Sequence, residues 1–155
     1  MKKQILGAIA VAVALHAQAQ DIKTANVPIG VKQAFAKQFP NAKATKWEKD
    51  DANYEVEFRL GKAGTSAVFA PDGAYLEMEQ EMKINKLPAL AQAYIKTTYG
   101  GYEIEEAAKI TKADGTVLYE AELEKGKESF DAIFNAEGQF VEKKMEGKST
   151  AKTKD

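Results

Sequence analysis

The sequence predicts an α+β fold. A tandem repeat of one helix plus four antiparallel strands would give about eight strands in one antiparallel sheet, with the helices packed on one face. Three observations predict it. The phrase FAPDGAYLE, Phe69 to Glu77, returns as FNAEGQFVE, Phe134 to Glu142, sixty-five positions later. Before each phrase lies a stretch in which apolar and charged residues alternate. Before each of those stretches lies an apolar ladder of helical period.

In chain order, residues 1–19 read as a secretory signal peptide: Lys2 and Lys3, an apolar run from Ile5 to Leu15, then the small-x-small signature Ala17-Gln18-Ala19. Eleven apolar residues rise about 16 Å as a helix, short of a hydrocarbon core of roughly 30 Å, so a membrane anchor is not expected. The mature chain is expected to start at Gln20, in the periplasm or outside the cell, with no membrane insertion after cleavage. Residues 20–26 are expected as a linker.

The first unit is expected over 27–82, a linker over 83–86, the second unit over 87–145, and a disordered tail over 146–155. Val27, Val31, Phe35 and Phe39 match Leu87, Ala91, Ile95 and Tyr99 at an offset of sixty, each ladder forming one helical stripe. Pro28 and Pro88 suit a first helical turn, and Phe39-Pro40 and Tyr99-Gly100-Gly101 suit the stops. Strands follow. The first pair is expected near Ala44–Lys49 and Ala107–Lys112. The second runs through Tyr54, Val56, Phe58 and Leu60, and through Val117, Tyr119, Ala121 and Leu123, at a period of two. A third ends at Phe69 or Phe134, and a fourth begins at Tyr75 or Phe140. From the second strand on, the offset is sixty-five, so the second unit carries five extra residues after its helix.

Composition narrows function. The chain has no cysteine, and its one histidine is His16, inside residues 1–19. That removes histidine- or cysteine-based nucleophilic catalysis, the usual zinc sites and the usual haem ligands from the mature chain. Removing Lys2 and Lys3 from 22 basic residues leaves 20 against 23 acidic, a net charge of −3 with a single arginine, Arg59. Nucleic acid is not an expected partner, and no cofactor is expected.

Asp72-Gly73 reads as the x-Pro-Asp-Gly-x turn rather than a calcium loop, because Ala74 and Leu76 stand where further carboxylates would be needed. The second unit replaces Asp72 by Glu137 and keeps the glycine. Glu55, Glu57, Glu77, Glu79, Glu120, Glu122 and Glu124 recur at alternate positions and read as the solvated face of the sheet. Tyr75 and Phe140 occupy matching positions. They face out among the glutamates in one strand register and into the core in the other. Trp47, between Lys46 and Glu48, is either a packing residue or a contact residue.

The doubled unit, with Val27-Pro28, Leu87-Pro88, Phe39-Pro40, Trp47, Tyr54 to Phe58, Tyr119 to Leu123 and the two closing phrases, resembles the PepSY-like, β-lactamase-inhibitor-like family of exported bacterial proteins over roughly Val27 to Met145. The resemblance implies two units with joined sheets, an open sheet face, and a habit of binding or inhibiting proteins. It implies no catalytic residue.

The expectation is therefore a non-enzymatic, inhibitor-like exported module. It would hold an envelope protein or peptide on the open face through Trp47, Tyr75, Phe140, Glu55, Glu57, Glu77, Glu120 and Glu122. The alternative is a periplasmic protein that takes a small ligand or cation on the glutamate-rich face.

Overall fold

The computed structural model describes residues 20–145. The signal-peptide reading of 1–19 and the tail at 146–155 lie outside them. A two-residue strand, β1 (Gln20–Asp21), precedes a 3-10 turn at Thr24–Asn26 and helix α1 (Ile29–Gln38). Four strands follow: β2 (Lys46–Asp50), β3 (Asn53–Leu60), β4 (Ala63–Phe69) and β5 (Tyr75–Glu81). A second 3-10 turn, Ile84–Lys86, leads into helix α2 (Ala89–Thr98) and strands β6 (Glu103–Lys112), β7 (Val117–Lys125), β8 (Glu128–Asn135) and β9 (Phe140–Met145). The two 3-10 turns fall in stretches expected to be linkers.

Each strand pairs antiparallel with its sequence neighbour, giving one sheet in the order β1 to β9. Nine strands rather than about eight are therefore described, because Gln20 and Asp21 pair with Lys49 and Glu48. Pro28 and Pro88 sit just ahead of their helices, with ψ near 140°, and their carbonyls accept the first helical N–H bonds from Lys32 and Gln92. Each helix then runs ten residues before the Phe39 or Tyr99 amide closes the last turn on Phe35 or Ile95.

Both helices lie on one side of the sheet, each over its own core. Under α1, Val31 and Phe35 meet Trp47, Val56, Phe58 and Phe69. The Phe35 ring packs edge-on to Trp47 and Phe58 at centroid distances of 5.7 and 5.2 Å. Under α2, Ala91 and Ile95 meet Ala121, Leu123, Phe130 and Phe134. Burying each large side chain contributes about 1.5–3 kcal/mol, which the short helices need, since ten residues alone are marginal in water.

The hairpin tips before β5 and β9 tuck against the helix starts. Asp72 accepts a bond from the Ala74 amide at 2.9 Å, and Gly73 turns with φ +90°. In the second half Asn135, not Glu137, plays the part of Asp72, accepting from the Glu137 and Gln139 amides. A Cβ on Gly138 would lie 2.7 Å from Pro88 Cβ. Glycine is thus retained for close approach to the helix as well as for its dihedral.

The hairpins also settle the two aromatics. Val68 pairs with Glu77, yet Phe69 pairs with Tyr75, so Leu76 is an extra residue on its strand. Ile133 pairs with Glu142 and Phe134 with Phe140, which makes Val141 the matching extra residue. A bulge of one residue inverts the alternation beyond it. Tyr75 and Phe140 therefore join the helix side, although Glu77 and Glu142 face the other way.

Candidate binding face

The residues that alternate with the core positions form the face without helices. Across the first half, Lys46 opposes Glu57, Glu57 opposes Ser66, and Ser66 opposes Glu79. Glu79 opposes Ile110, and Ile110 opposes Leu118. In the next row Glu81 opposes Ala108, Ala108 opposes Glu120, and Glu120 opposes Ile133. A flat sheet would leave all of these open to water. Instead Ile133 is 0 % exposed, Ile110 4 % and Ala108 5 %.

The face is concave. Glu79 on β5 feels the charges of Asp131 on β8 and Lys144 on β9. Three strand spacings in a flat sheet would separate β5 from β8 by about 14 Å. Curling brings the rows together over a concavity of about 440 Å³ whose walls include Glu79, Glu81, Glu106, Glu120, Glu122 and Asp131. A second hollow of about 350 Å³, lined by Glu57, Arg59 and Ser66, shares Glu79, Glu81 and Glu106 with the first. Small residues at Gly64, Ser66 and Ala108 leave the room.

Such crowding disfavours charge. Burial, then the neighbouring Glu55, Asp131 and Glu77 carboxylates, raise the Glu79 carboxyl from the usual 4.5 to about 7, against the pull of Lys144. Burial also raises Glu55, partly offset by a hydrogen bond with Ser66. Cations gather toward the margins. Lys46 meets Glu48 at 2.6 Å, Asp21 at 2.9 Å and Glu57 at 3.8 Å, and Lys112 meets Glu77 at 3.6 Å. Among the described residues no three carboxylates converge to hold a metal ion.

Of the residues expected to bind, Glu55, Glu57, Glu77, Glu120 and Glu122 lie on this face. Trp47, Tyr75 and Phe140 do not, which corrects their expected place. Trp47 is 3 % exposed beneath Phe35, its Nε1–H without a partner. Tyr75 packs on Phe39 and Phe69, with its hydroxyl 3.4 Å from the Thr111 carbonyl. Phe140 stacks on Tyr94 of α2 at 4.9 Å. Sequence reasoning missed Glu81, Glu106, Asp131 and the buried Ile110 and Ile133 of the same face. Glu81 could have been found as the next alternate residue after Glu77 and Glu79.

The family model described as "Putative beta-lactamase-inhibitor-like, PepSY-like" matches residues 13–63 and 54–142. The chain belongs to this family. No curated protein matches it. Among solved structures it is similar to a protein of Bacteroides eggerthii described as "putative periplasmic", with a TM-score of 0.68 and 17 % identity over 77 % of this chain and 88 % of the other. A DUF2874 family protein of Bacteroides uniformis gives a TM-score of 0.67 at 16 % identity, covering 76 % and 88 %. A BLIP-like protein of Bacteroides fragilis gives 0.62 at 22 % identity, covering 79 % and 89 %. At these identities the shared property is the fold.

Proposed function

We propose that this member of the PepSY-like family is a non-enzymatic exported binding module, inhibitor-like in habit, that holds a basic protein or peptide segment on its concave sheet face. The observation that carries this reading is the acid-lined concavity. Carboxylates at Glu81, Glu120, Glu122 and Asp131 line it and would meet lysine or arginine. The family's inhibitor-like description and the periplasmic description of one structural neighbour support partner binding and export. The equal grammar of the two halves, helix then four strands, supports descent from a tandem repeat.

The test uses a labelled peptide of alternating lysine and leucine against one of alternating glutamate and leucine. Fluorescence anisotropy should show the lysine peptide bound, with affinity that falls as ionic strength rises. Glu120→Gln/Glu122→Gln should weaken it several-fold while leaving the circular dichroism spectrum intact. Equal binding of both peptides, or an unmoved affinity in the double variant, would refute the reading.

A second reading, a small ligand or cation on the same face, is favoured by the size of the concavity, which falls in the range of small-molecule sites. A rise in melting temperature with millimolar calcium would select the cation version over the peptide one.

A further inference from the structure

The two edges of the sheet differ. One ends in β1, only two residues long, a length that discourages further pairing. The other ends in β9, six residues that pair with β8 on one side, and among the described residues nothing covers its outer side. Alternate residues of β9 therefore present unpaired backbone N–H and C=O groups along that edge. Two large apolar side chains also stand exposed there, Val141 and Met145, each 52 % accessible.

The side chains of β9 read the same way from both ends. Glu142 and Lys144 lie on the open face, opposite Ile133 and Asp131. Lys143 and Met145 lie on the helix side, opposite Ala132 and Phe130. Two antiparallel β9 strands centred on Lys143 would set Glu142 against Lys144 twice and Val141 against Met145 twice. A slip of two residues one way sets Glu142 against Glu142. A slip the other way sets Lys144 against Lys144, and either slip parts Val141 from Met145. At the centre, Lys143 would meet its own copy, but each Nζ is already held 3.6 Å above the centroid of its own Phe130 ring. Lysines on an edge strand commonly deter pairing. Here one is folded onto a ring, and the other, already 3.9 Å from Glu142 of its own chain, would gain a second glutamate from the partner.

We infer that β9 is a self-complementary edge through which two copies of this chain pair antiparallel about Lys143, joining their sheets with the helices on the same side. Glu142 and Lys144 stand at the outer margin of the concave face, but the pairing does not rest on what that face binds.

Sedimentation velocity across a dilution series, from micromolar to near-millimolar, tests it with the full mature chain. The wild type should show a concentration-dependent dimer. Glu142→Lys and Lys144→Glu each place like charges opposite one another and should weaken the dimer roughly tenfold. An equimolar mixture of the two variants restores opposite charges at every pair and should recover the dimer. So should the doubly swapped Glu142→Lys/Lys144→Glu chain. Matching melting temperatures keep loss of pairing separate from loss of fold. A wild type that stays monomeric throughout, as it would if residues 146–155 or another chain covered the edge, overturns the inference. A dimer indifferent to both single variants does so too, as does a mixture that fails to pair.

Discussion

Glu79 carries the clearest consequence at the scale of one residue. Its side chain sits on a sheet face, where a glutamate is ordinarily solvated, yet curling has half-buried it among three other acids. Its carboxyl keeps a proton up to about pH 7 in the folded chain and releases it near the usual 4.5 when unfolded. A raised carboxyl favours the folded state at low pH. The contribution is complete below about pH 4.5 and fades as pH rises through 7, by on the order of 3 kcal/mol. Thermal melts at pH 5 and pH 8 check this. The wild type should lose several degrees between them, and Glu79→Gln, uncharged at both, should melt above the wild type at pH 8 and near it at pH 5. A variant no more stable than wild type at pH 8 would show that the Glu79 carboxylate is adequately solvated. Trp47 illustrates the opposite case. Its place between Lys46 and Glu48 leaves packing and contact both open, and it is expected as an anchor of the open face, yet the indole is buried in the first core with its N–H unpartnered.

At the scale of elements, the hairpin before β9 ties a turn to a helix. Gly126 turns with φ +67° in open space, whereas Gly138 turns with φ +84° beneath Pro88 and the Ala91 amide. Gly126→Ala should cost about 1–2 kcal/mol, the price of a left-handed alanine. Gly138→Ala adds a Cβ 3.0 Å from backbone and should cost at least about 1 kcal/mol more, since α2 must shift. Chemical denaturation of the two variants compares them directly, and equal losses would mean that the helix start yields freely. The same hairpins show where sequence stops being legible. Strand β3, with Tyr54, Val56 and Phe58 inward, was plain from its period of two, and β7 likewise. The direction of Tyr75 and Phe140 was not, because a bulge is defined by the partner strand: only the jump from Val68–Glu77 to Phe69–Tyr75 reveals Leu76 as the extra residue. The glutamates of the open face were legible as an alternation. Their depth was not, because Glu79 is half-buried by a curl that only the paired sheet possesses.

At the scale of the whole molecule, the five extra residues of the second half build the joint. Strand β2 has five residues and β6 has ten. The added length lets β6 pair Ala108–Lys112 with β5 while Glu103–Thr111 pairs with β7. The two cores beneath α1 and α2 are separate clusters, so this seam of backbone bonds makes one sheet of two halves. The concave face depends on it, since Glu79 and Glu81 come from the first half and Glu120 and Asp131 from the second. If the seam couples the halves, damage to one core should be felt in the other. Phe134 is fully buried under α2, and Phe134→Ala should cost about 3–5 kcal/mol. The sole tryptophan, Trp47, reports the first half, while far-ultraviolet circular dichroism reports both. In the variant the two signals should still fall together, at one lowered midpoint, because β5 of the first half loses β6 when the second half unfolds. An early loss of ellipticity with the Trp47 transition left at its wild-type temperature would mean that the halves unfold separately, and that their common face exists only while both stand.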